Sequence, residues 1–512
     1  MNRPLVTALL TIAVAAVVSP MTAAAKLYGV GDTGIVRVTT EPSTSQGEEP
    51  LSVNPLNPNQ LTAVANVFQP NFPAPLNPFI GAGGIQDTRI YSSRDGGRHW
   101  LTQKLDQGGL GKLQLPGPPG NSPEFSDAFN IVNTDADSAW DRHGNAYFES
   151  GDIHGLYHNG NEVETLWRST DGGVHWGPHK GYTAVNATQE HTELDRPWLA
   201  VDNSGGPHDG RLYTSFETTP FANIPPEVYL KHSDDHGAHW SPTVRVDDGT
   251  YQTQWNPRAR PVVGADGALY IVYNRAPVSS TPFASYSGPI TLMLARSTDG
   301  GQTFKRFVLE PDVRRVVSPD EATPAYTEMI SAIATDPTRP GHVAVAWPQA
   351  LGASNSRILL RYTPDGGLHW SQRIDVADDP ASKPNQHDHV TLAWLPDGRL
   401  FVGWRDRRCC GGGGFDQKYQ QWVRVLDRGF KLGRTVEYSA GPQQTTESGR
   451  GQLQPDEFQG LTATRLGVGL SWSQLGSDGL DHLTFRRVPL TAFAAPKHKK
   501  HRKHHQGEDR RR

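Results

Sequence analysis

Residues 168–176 read RSTDGGVHW, an Asp-Gly-Gly turn closed by a tryptophan. The pattern Ser/Thr-x-Asp-x-Gly, followed by an aromatic residue, occurs five times in the chain. We call these segments the repeated turns: SRDGGRHW (93–100), STDGGVHW (169–176), SDDHGAHW (233–240), STDGGQTF (297–304) and TPDGGLHW (363–370). Successive aspartates of the pattern are 64 to 76 residues apart. Regular spacing of this size indicates one supersecondary unit that is repeated along the chain.

The residue types of the repeated turns suit a tight hairpin connection. A carboxylate accepts hydrogen bonds from backbone N–H groups across the turn, and glycine permits the positive φ that the turn requires. The closing aromatic side chain can then pack between neighbouring units. One carboxylate per turn supplies too few oxygen ligands for calcium. We therefore expect structural roles for the five aspartates, Asp95, Asp171, Asp235, Asp299 and Asp365.

The repeated turns resemble the Asp-box, or BNR repeat, of sialidases and related β-propellers. The resemblance implies an all-β fold, a single β-propeller of four-stranded antiparallel blades. A series of apolar strands upstream of the turns agrees with it, since most have an aromatic residue in the penultimate place: Phe148, Phe216, Tyr273, Trp347, Trp404 and Trp472. The pattern predicts that each unit consists of a strand, a turn, a second strand, a longer loop, a third strand, the repeated turn and a fourth strand. Four strands per unit match a propeller blade.

The pattern predicts seven units over residues 26–495, and residues 26–40 are expected to complete the last blade and close the ring. The units are 50–100, 134–176, 195–240, 256–304, 327–370, 387–430 and 457–490. The sixth has a degenerate turn at 426–429, and the seventh has none. Sialidases have six blades, so a six-bladed propeller, with the seventh unit as a closing strand pair, is the alternative.

Both ends of the chain differ in composition from residues 26–495, which we call the body. Residues 1–25 combine Arg3, an apolar run and a small-residue site, which is typical of a signal peptide and predicts a secreted protein. Residues 496–512 form a basic His/Lys/Arg-rich tail, expected to be disordered. The tail is either simply solvated, or contacts an anionic cell-surface polymer, or binds metal weakly through its histidines.

The body between these ends has a net charge of −11. An acidic body is a poor nucleic-acid surface, and no later apolar run is long enough to insert into a membrane. We expect a monomer whose partner is a glycan or glycoconjugate, with no cofactor and no metal site.

Strand order predicts that the repeated turns lie on one face of the propeller and a ligand site on the other. Strand ends on that second face are rich in carboxylates, guanidiniums and amides. The predicted catalytic residues are Glu149, Asp195, Glu217 and Glu328, with Tyr326 as a weaker nucleophile candidate. The predicted substrate-binding residues are Arg196, Arg260, Arg275, Asp388, Arg405 and Asp406. Other polar residues at the starts of first strands include Asp135, Asp137, His387 and His389.

This mixture of side chains suits an anionic sugar. Arginine binds carboxylate in a bidentate fork, and two acids can act as general acid and base. The resemblance implies three arginines on the substrate carboxylate, a Tyr–Glu nucleophile and an aspartate acid/base. No Arg-Ile-Pro-like segment precedes the first repeated turn, however, so no catalytic residue transfers by motif match.

Two functions are therefore predicted side by side. One is a secreted glycoside hydrolase of the exo-alpha-sialidase type, acting on an anionic or complex glycan. The other is a non-catalytic glycan- or protein-binding propeller that uses the same face. A polysaccharide lyase is a third alternative.

Cys409 and Cys410 are the two cysteines of the chain, and they are adjacent within RDRRCCGGGG (405–414). Their spacing excludes a C-x-x-C metal or redox site. A vicinal disulfide between them would make a structural kink, a platform for a sugar ring or a redox-sensitive rim.

Overall fold

The computed structural model describes a discontinuous set of residues. They are 34–39, 45–47, 50–68, 85–103, 105, 133–152, 163–177, 180–183, 192–220, 227–248, 259–275, 289–314, 316, 331–352, 355–383, 385–410, 418–443 and 459–494. The predicted signal peptide (1–25), the tail (496–512), Tyr326 and Glu328 lie outside this set. Among the described residues, no helix has the length and apolar character needed to cross a bilayer.

The described residues form seven antiparallel sheets, which are the blades of one propeller. Blade 1 contains β2 (Ser45–Gly47), β3 (Leu51–Val53), β4 (Leu61–Phe68), β5 (Ile85–Ser93) and β6 (Leu101–Gln103). Blade 2 contains β7 (Asn133–Trp140), β8 (Ala146–Asp152), β9 (Val163–Ser169) and β10 (Lys180–Thr183). Blade 3 contains β11 (Thr192–Val201), β12 (Leu212–Pro220), β13 (Val228–Ser233) and β14 (Val244–Arg245).

The second half of the chain repeats this order. Blade 4 contains β15 (Arg260–Val263), β16 (Leu269–Arg275), β17 (Ile290–Ser297) and β18 (Lys305–Val313). Blade 5 contains β19 (Ala332–Thr335), β20 (Val343–Gly352), β21 (Asn355–Thr363) and β22 (Ile374–Asp375). Blade 6 contains β23 (His387–Trp394), β24 (Leu400–Asp406), β25 (Gln420–Leu426) and β26 (Leu432–Glu437). Blade 7 contains β27 (Gly460–Thr464), β28 (Gly467–Leu475), β29 (Asp481–Val488) and β1 (Ile35–Arg37).

The seven-bladed prediction is confirmed, and the six-bladed alternative is wrong. Blade 7 has a full set of four strands because the N-terminal strand β1 pairs with β29, placing Val36 opposite Phe485. This pairing closes the ring, as the sequence predicts. It also explains why the seventh unit lacks a repeated turn: its fourth strand comes from the other end of the described chain.

The hydrophobic core lies between the blades. The second strand of a blade is covered on both sides by neighbours, so most of its residues are buried. In β24, for example, all seven residues are buried. The predicted aromatic series falls on these second strands, and Trp347, Trp404 and Trp472 are fully buried there. Such side chains typically contribute about 3–5 kcal/mol each to stability when compared with alanine.

Strand pairing fixes the two faces of the propeller. In blade 3, Asp195 pairs with Glu217 at one end of the sheet, and Val201 pairs with Leu212 at the other. Leu212 also pairs with Ser233, the first residue of a repeated turn. We call the face with the repeated turns the bottom face and the opposite one the top face. The candidate site residues of this blade therefore lie on the opposite face from its turn.

Each repeated turn is closed by its own aspartate. In the fifth, Asp365 accepts hydrogen bonds from the hydroxyl of Thr363 at 2.8 Å and from the backbone N–H of His369 at 2.9 Å. Burial would raise the pKa of Asp365, but these bonds and the His369 imidazole outweigh it and lower the pKa to about 2. The degenerate turn of blade 6 keeps part of this pattern, since Asp427 accepts bonds from Gly429 and Lys431.

Candidate functional site

Strand ends on the top face carry most of the predicted site residues. Arg275, Arg405 and Asp406 lie at the ends of second strands, whereas Glu149 and Glu217 lie three residues before the ends of theirs. Asp195, Arg196, Arg260 and Asp388 lie near the starts of first strands. For Asp195 and Arg196 only the backbone is described. The described residues thus place one acidic and basic rim at the end of the propeller away from the repeated turns.

Two acids lie directly opposite each other in blade 2. Asp137 on β7 pairs in register with Glu149 on β8, which places their Cβ atoms about 4.5–5.5 Å apart. Both side chains are buried, with 1% of Asp137 and none of Glu149 exposed. Glu149 accepts a hydrogen bond of 3.0 Å from the hydroxyl of Thr214 in blade 3. The acids therefore share the seam between blades 2 and 3.

Asp137 has the electrostatic character of a proton donor. Burial raises the pKa of its carboxyl, and the positive charge of Arg260 opposes that rise without cancelling it. Its oxygens accept hydrogen bonds from the backbone N–H groups of Ser138 at 2.8 Å and Leu199 at 3.1 Å. Asp137 consequently holds a proton at a higher pH than an ordinary aspartate does.

Arg260, at the start of β15 in blade 4, is the cation whose charge acts on Asp137. Its guanidinium lies 4.8 Å from the centre of the Trp198 ring, so it stacks across the seam between blades 3 and 4. The Arg260 side chain is partly exposed. Glu217 faces the same seam, since strand alternation puts it on the side of Ser215, whose hydroxyl donates to the Ala259 carbonyl.

Arg275, the other predicted clamp of blade 4, lies at the end of β16. Its guanidinium is 3.8 Å from a carboxylate oxygen of Asp248, and about a fifth of its side chain is exposed (22%). A contact of this length between partly exposed groups contributes little to stability. Arg275 is therefore placed on the rim, where its charge is accessible to solvent.

Three first strands are irregular where the candidate acids lie. The register shifts between Thr134 and Asp137 in β7, between Asp195 and Trp198 in β11, and between Asp388 and Thr391 in β23. Bulges of this kind are common beside active sites, because they redirect a side chain or end a pairing. The shifts occur on the top side of the strands, near the rim.

The substrate-binding candidates of blade 6 lie in a buried network. Asp388 is 2.9 Å from the Nε of Arg405 and is also bonded by Arg407, and all three side chains are fully buried. His389 accepts from Arg405 at 3.0 Å and donates to Asp388 at 2.9 Å. Burial and the charge of Arg405 lower the pKa of His389 to about 4 and keep it neutral. Arg405 and Asp388 thus neutralise each other inside the blade.

A second network surrounds Asp406. It accepts hydrogen bonds from the side chain of Arg408 at 2.6 Å and from Asn385 at 2.9 Å. His387 lies between Asp406, at 3.3 Å, and Asp379, at 3.0 Å. Burial would lower the pKa of His387, but the two carboxylates outweigh it and raise the pKa to about 9. A protonated His387 therefore bridges two carboxylates at neutral pH.

The same three side chains form the one cluster in the described part of the chain with metal-ligand spacing. Donor atoms of Asp379, His387 and Asp406 lie within 4.8 Å of one another. Arg408 already pairs with Asp406, and Arg357 pairs with Asp379 at 2.7 Å. The two guanidiniums already balance the two carboxylates, and a protonated His387 adds a further positive charge, which leaves little attraction for a cation.

Cys409 and Cys410 form a vicinal disulfide in the loop after β24. The backbone N–H of Cys410 donates to the carbonyl of Arg407 at 3.0 Å. Arg408, next to the pair, stacks over the Trp422 ring at 4.4 Å. The disulfide therefore lies in the turn that also carries Arg407 and Arg408.

The sequence predicts which strand ends form the top-face rim, but it does not predict which side chains face each other there. Asp137, His387 and His389 were recognisable as polar starts of first strands, yet only the register shows what they face. Arg407 and Asp379 were missed. The signal for Arg407 was present in the sequence, because RDRR continues the polar strand end by one residue past Asp406.

Comparisons with known proteins give distant structural similarity. No family model and no curated protein matches the chain. A protein of unknown function from Dyadobacter fermentans is 12% identical, with a TM-score of 0.45 over 89% of this chain and 98% of that one. The Hadza microbial sialidase Hz136 is 13% identical, with a TM-score of 0.44 over 90% of this chain and 96% of that one.

An α-L-arabinanase from Penicillium chrysogenum is also similar, at 13% identity and a TM-score of 0.35 over 58% of this chain and 94% of that one. Similar solved structures thus include propeller glycosidases of more than one kind. Identities and TM-scores of this size do not identify a family or an activity. The function has to be inferred from the residues of this chain.

Proposed function

We propose that this protein is a glycoside hydrolase that acts on an anionic or complex glycan at the top face. The observation that carries the proposal is the opposed acid pair Asp137–Glu149, in which the pKa of Asp137 is raised and Arg260 supplies a nearby, partly exposed cation. Glycoside hydrolysis typically requires two carboxyl groups with separate roles. Environments that separate the pKa values of two neighbouring acids assign those roles.

In the proposed reaction Asp137 is the general acid. It donates its proton to the oxygen of the leaving group, while Glu149 is the carboxylate that activates water or attacks the sugar. Arg260 binds a carboxylate of the substrate. Because Asp137 and Glu149 are buried, the mechanism requires the seam between blades 2 and 3 to open to the substrate. Glu217 and Asp195, opposed in blade 3, are the second acid pair to test.

A screen against fluorogenic glycosides, beginning with 4-methylumbelliferyl sialoside, tests the proposal. We expect turnover by the wild-type protein and a loss of about 100-fold or more in kcat for Asp137→Asn and Glu149→Gln. Arg260→Ala should raise KM for an acidic substrate. Asp397→Asn is the matched control, because Asp397 is an exposed carboxylate in the β23–β24 turn on the bottom face.

Two results would count against this function. The first is the absence of turnover with every glycoside of the panel. The second is turnover that survives in Asp137→Asn and Glu149→Gln, and in Glu217→Gln and Arg260→Ala, at the level of Asp397→Asn. The second result would show that another part of the protein is responsible for hydrolysis.

The ion pairs of blade 6 favour a second candidate function, a non-catalytic glycan-binding propeller. Asp388 pairs with Arg405 and Arg407, and Asp406 pairs with Arg408, all within buried networks. Because these charges already have partners inside the protein, they do not take part in catalysis easily. A glycan array with the wild-type protein separates the two functions, because retention of a glycan without turnover supports binding alone.

We also propose that the mature protein is exported and acts outside the cell or in its envelope. Support comes from the signal-like composition of residues 1–25. N-terminal sequencing of the protein recovered from culture medium tests this proposal. A mature N-terminus near residue 26 supports it, and a protein that stays in the cytoplasm contradicts it.

A further inference from the structure

A cavity of about 400 Å³ opens on the bottom face between blades 2 and 3. Leu166 and Trp176 give it an apolar wall, and Arg168, Asp171, Asp235 and His236 contribute polar groups. It lies among the repeated turns, and of its lining residues Leu166 is the one that pairs in register with Glu149 on β8. The glycosidase function proposed above uses none of these side chains.

His236 is the unusual residue of this cavity. In the other four repeated turns the residue after the aspartate is glycine with φ between 71° and 85°; these are Gly96, Gly172, Gly300 and Gly366. His236 adopts the same left-handed backbone, with φ of 60°. That conformation costs a residue with a Cβ atom about 1–2 kcal/mol. Because glycine would avoid this cost, the presence of histidine at position 236 indicates that its side chain has a role there.

The His236 side chain is held by a buried chain of hydrogen bonds. Its Nδ1 lies 2.6 Å from the hydroxyl of Tyr147, and that hydroxyl donates to Asp141 at 3.0 Å. Since a hydroxyl has one hydrogen, Nδ1 of His236 must be the donor in the first contact. Nε2 of His236 is then left as an acceptor. Burial and the nearby Arg168 charge lower the pKa of His236, which keeps the ring neutral.

The other polar groups complete a mixed set. Arg168 donates to Asn145 at 2.9 Å, and its guanidinium is the cation of the cavity wall. Asp171 and Asp235 are acceptors at the rim. The cavity therefore combines an aromatic wall with both donors and acceptors of hydrogen bonds.

We propose that this cavity is a non-catalytic binding site for a single neutral sugar residue. A sugar ring offers an apolar C–H face for Trp176 and hydroxyls that both donate and accept. An anion fits less well, because two carboxylates, Asp171 and Asp235, face one guanidinium. The volume falls within the range of about 300–1,000 Å³ that is usual for small-molecule sites.

Saturation-transfer NMR with the full chain tests the site, using the methyl glycosides of glucose, galactose, mannose and N-acetylglucosamine. Two variants copy residues that other repeated turns already carry, so both are expected to fold. His236→Gly restores the glycine, and Trp176→Phe copies the aromatic residue Phe304. We expect at least one glycoside to bind the wild-type protein and each variant to lose affinity about fivefold or more.

Trp370→Phe is the matched control, since Trp370 closes another repeated turn and does not line the cavity. Asp397→Asn, an exposed change in the β23–β24 turn of blade 6 that lies outside the cavity, should bind the sugar as the wild type does. Absence of saturation transfer from all four glycosides would overturn the proposal. Equal affinity of the wild type, His236→Gly and Trp176→Phe, with thermal unfolding showing each to be folded, would overturn it too.

Discussion

His387 lies at the centre of a buried charge cluster at the start of blade 6. Asp379 and Asp406 face its Nε2, and the Ser356 carbonyl accepts from its Nδ1 at 2.5 Å. Arg357 and Arg408 pair with the same two carboxylates from the other side, and the protonated ring adds a third positive charge to the cluster. Removing a partner from such a cluster leaves a buried charge uncompensated.

We predict that the contribution of His387 to stability is lost at alkaline pH. Its pKa is raised from 6.5 to about 9 in the folded protein, so the stabilisation is fully present below about pH 6.5 and disappears as the pH rises through about 9. The difference in free energy of unfolding between the wild type and His387→Gln, from urea titrations, should be about 1–3 kcal/mol at pH 7 and much smaller at pH 10. A difference that is constant between these pH values would contradict the prediction.

Gly97 tests the packing of the first repeated turn. Its φ is 88°, and a Cβ atom added there would lie 2.0 Å from the ring of Phe485 in blade 7. Gly97→Ala should therefore lower the free energy of unfolding by more than about 3 kcal/mol, through backbone strain and overpacking together. Gly210→Ala is the control, because Gly210 has φ of 83° and nothing within 4 Å of its Cβ position.

For Gly210→Ala we expect the strain alone, about 1–2 kcal/mol. The two losses are measured as shifts in the midpoint of urea unfolding. Equal losses in the two variants would mean that the Phe485 ring moves aside at little cost.

At the scale of elements, the repeated turn is held by its aspartate rather than by its apolar residue. Asp365 accepts bonds from Thr363, from the backbone of His369 and from the His369 ring. Asp365→Ala should lower the free energy of unfolding by about 1–3 kcal/mol, since each bond contributes about 0.5–1.5 kcal/mol. Leu368→Ala, in the same turn with 63% of its side chain exposed, should change it by less than about 0.5 kcal/mol.

Thermal and urea unfolding of these two variants give the comparison. A loss of similar size in both would show that the turn tolerates removal of its carboxylate.

The elements themselves were largely predictable from the sequence. The residue types of a turn and the spacing between repeats can be seen in the sequence alone. The five repeated turns and the aromatic residues of the second strands can therefore be located without knowledge of strand pairing. Even the ring closure by IVRV (35–38) follows from the missing fourth strand of the seventh unit. The extra strand β2, which pairs with β4 beside β3, has no such local signal.

The candidate site was less predictable, because it depends on contacts between strands. The top-face position of Glu149 followed from strand order, but its pairing with Asp137 depends on a bulge between Thr134 and Asp137. A shift of one residue would turn the side chain to the other face. Similarly, nothing local in the sequence shows that Arg405 neutralises Asp388 instead of meeting solvent.

At the scale of the whole molecule, the propeller has two chemically different ends. Near the top face, acids and arginines of different blades act on one another, as Arg260 of blade 4 does on Asp137 of blade 2. On the bottom face, the repeated turns bring exposed Asp–His pairs such as Asp171–His175. A ligand site on each face is consistent with this division, because the blades separate the two sets of side chains by the length of their strands.

The closed ring depends on β1, which makes a specific prediction about cooperativity. Val38 donates its backbone N–H to Leu483 and packs with Phe485, so residues 34–39 cover the outer edge of blade 7. A variant that begins at residue 40 exposes this edge and should unfold at a temperature several degrees below a variant that begins at residue 34. Calorimetry should still show a single transition, because every remaining blade buries its core against two neighbours. Blade 7 unfolding as a separate, earlier transition would instead show that the ring is held together blade by blade, and an unchanged transition temperature would show that β1 does not close it.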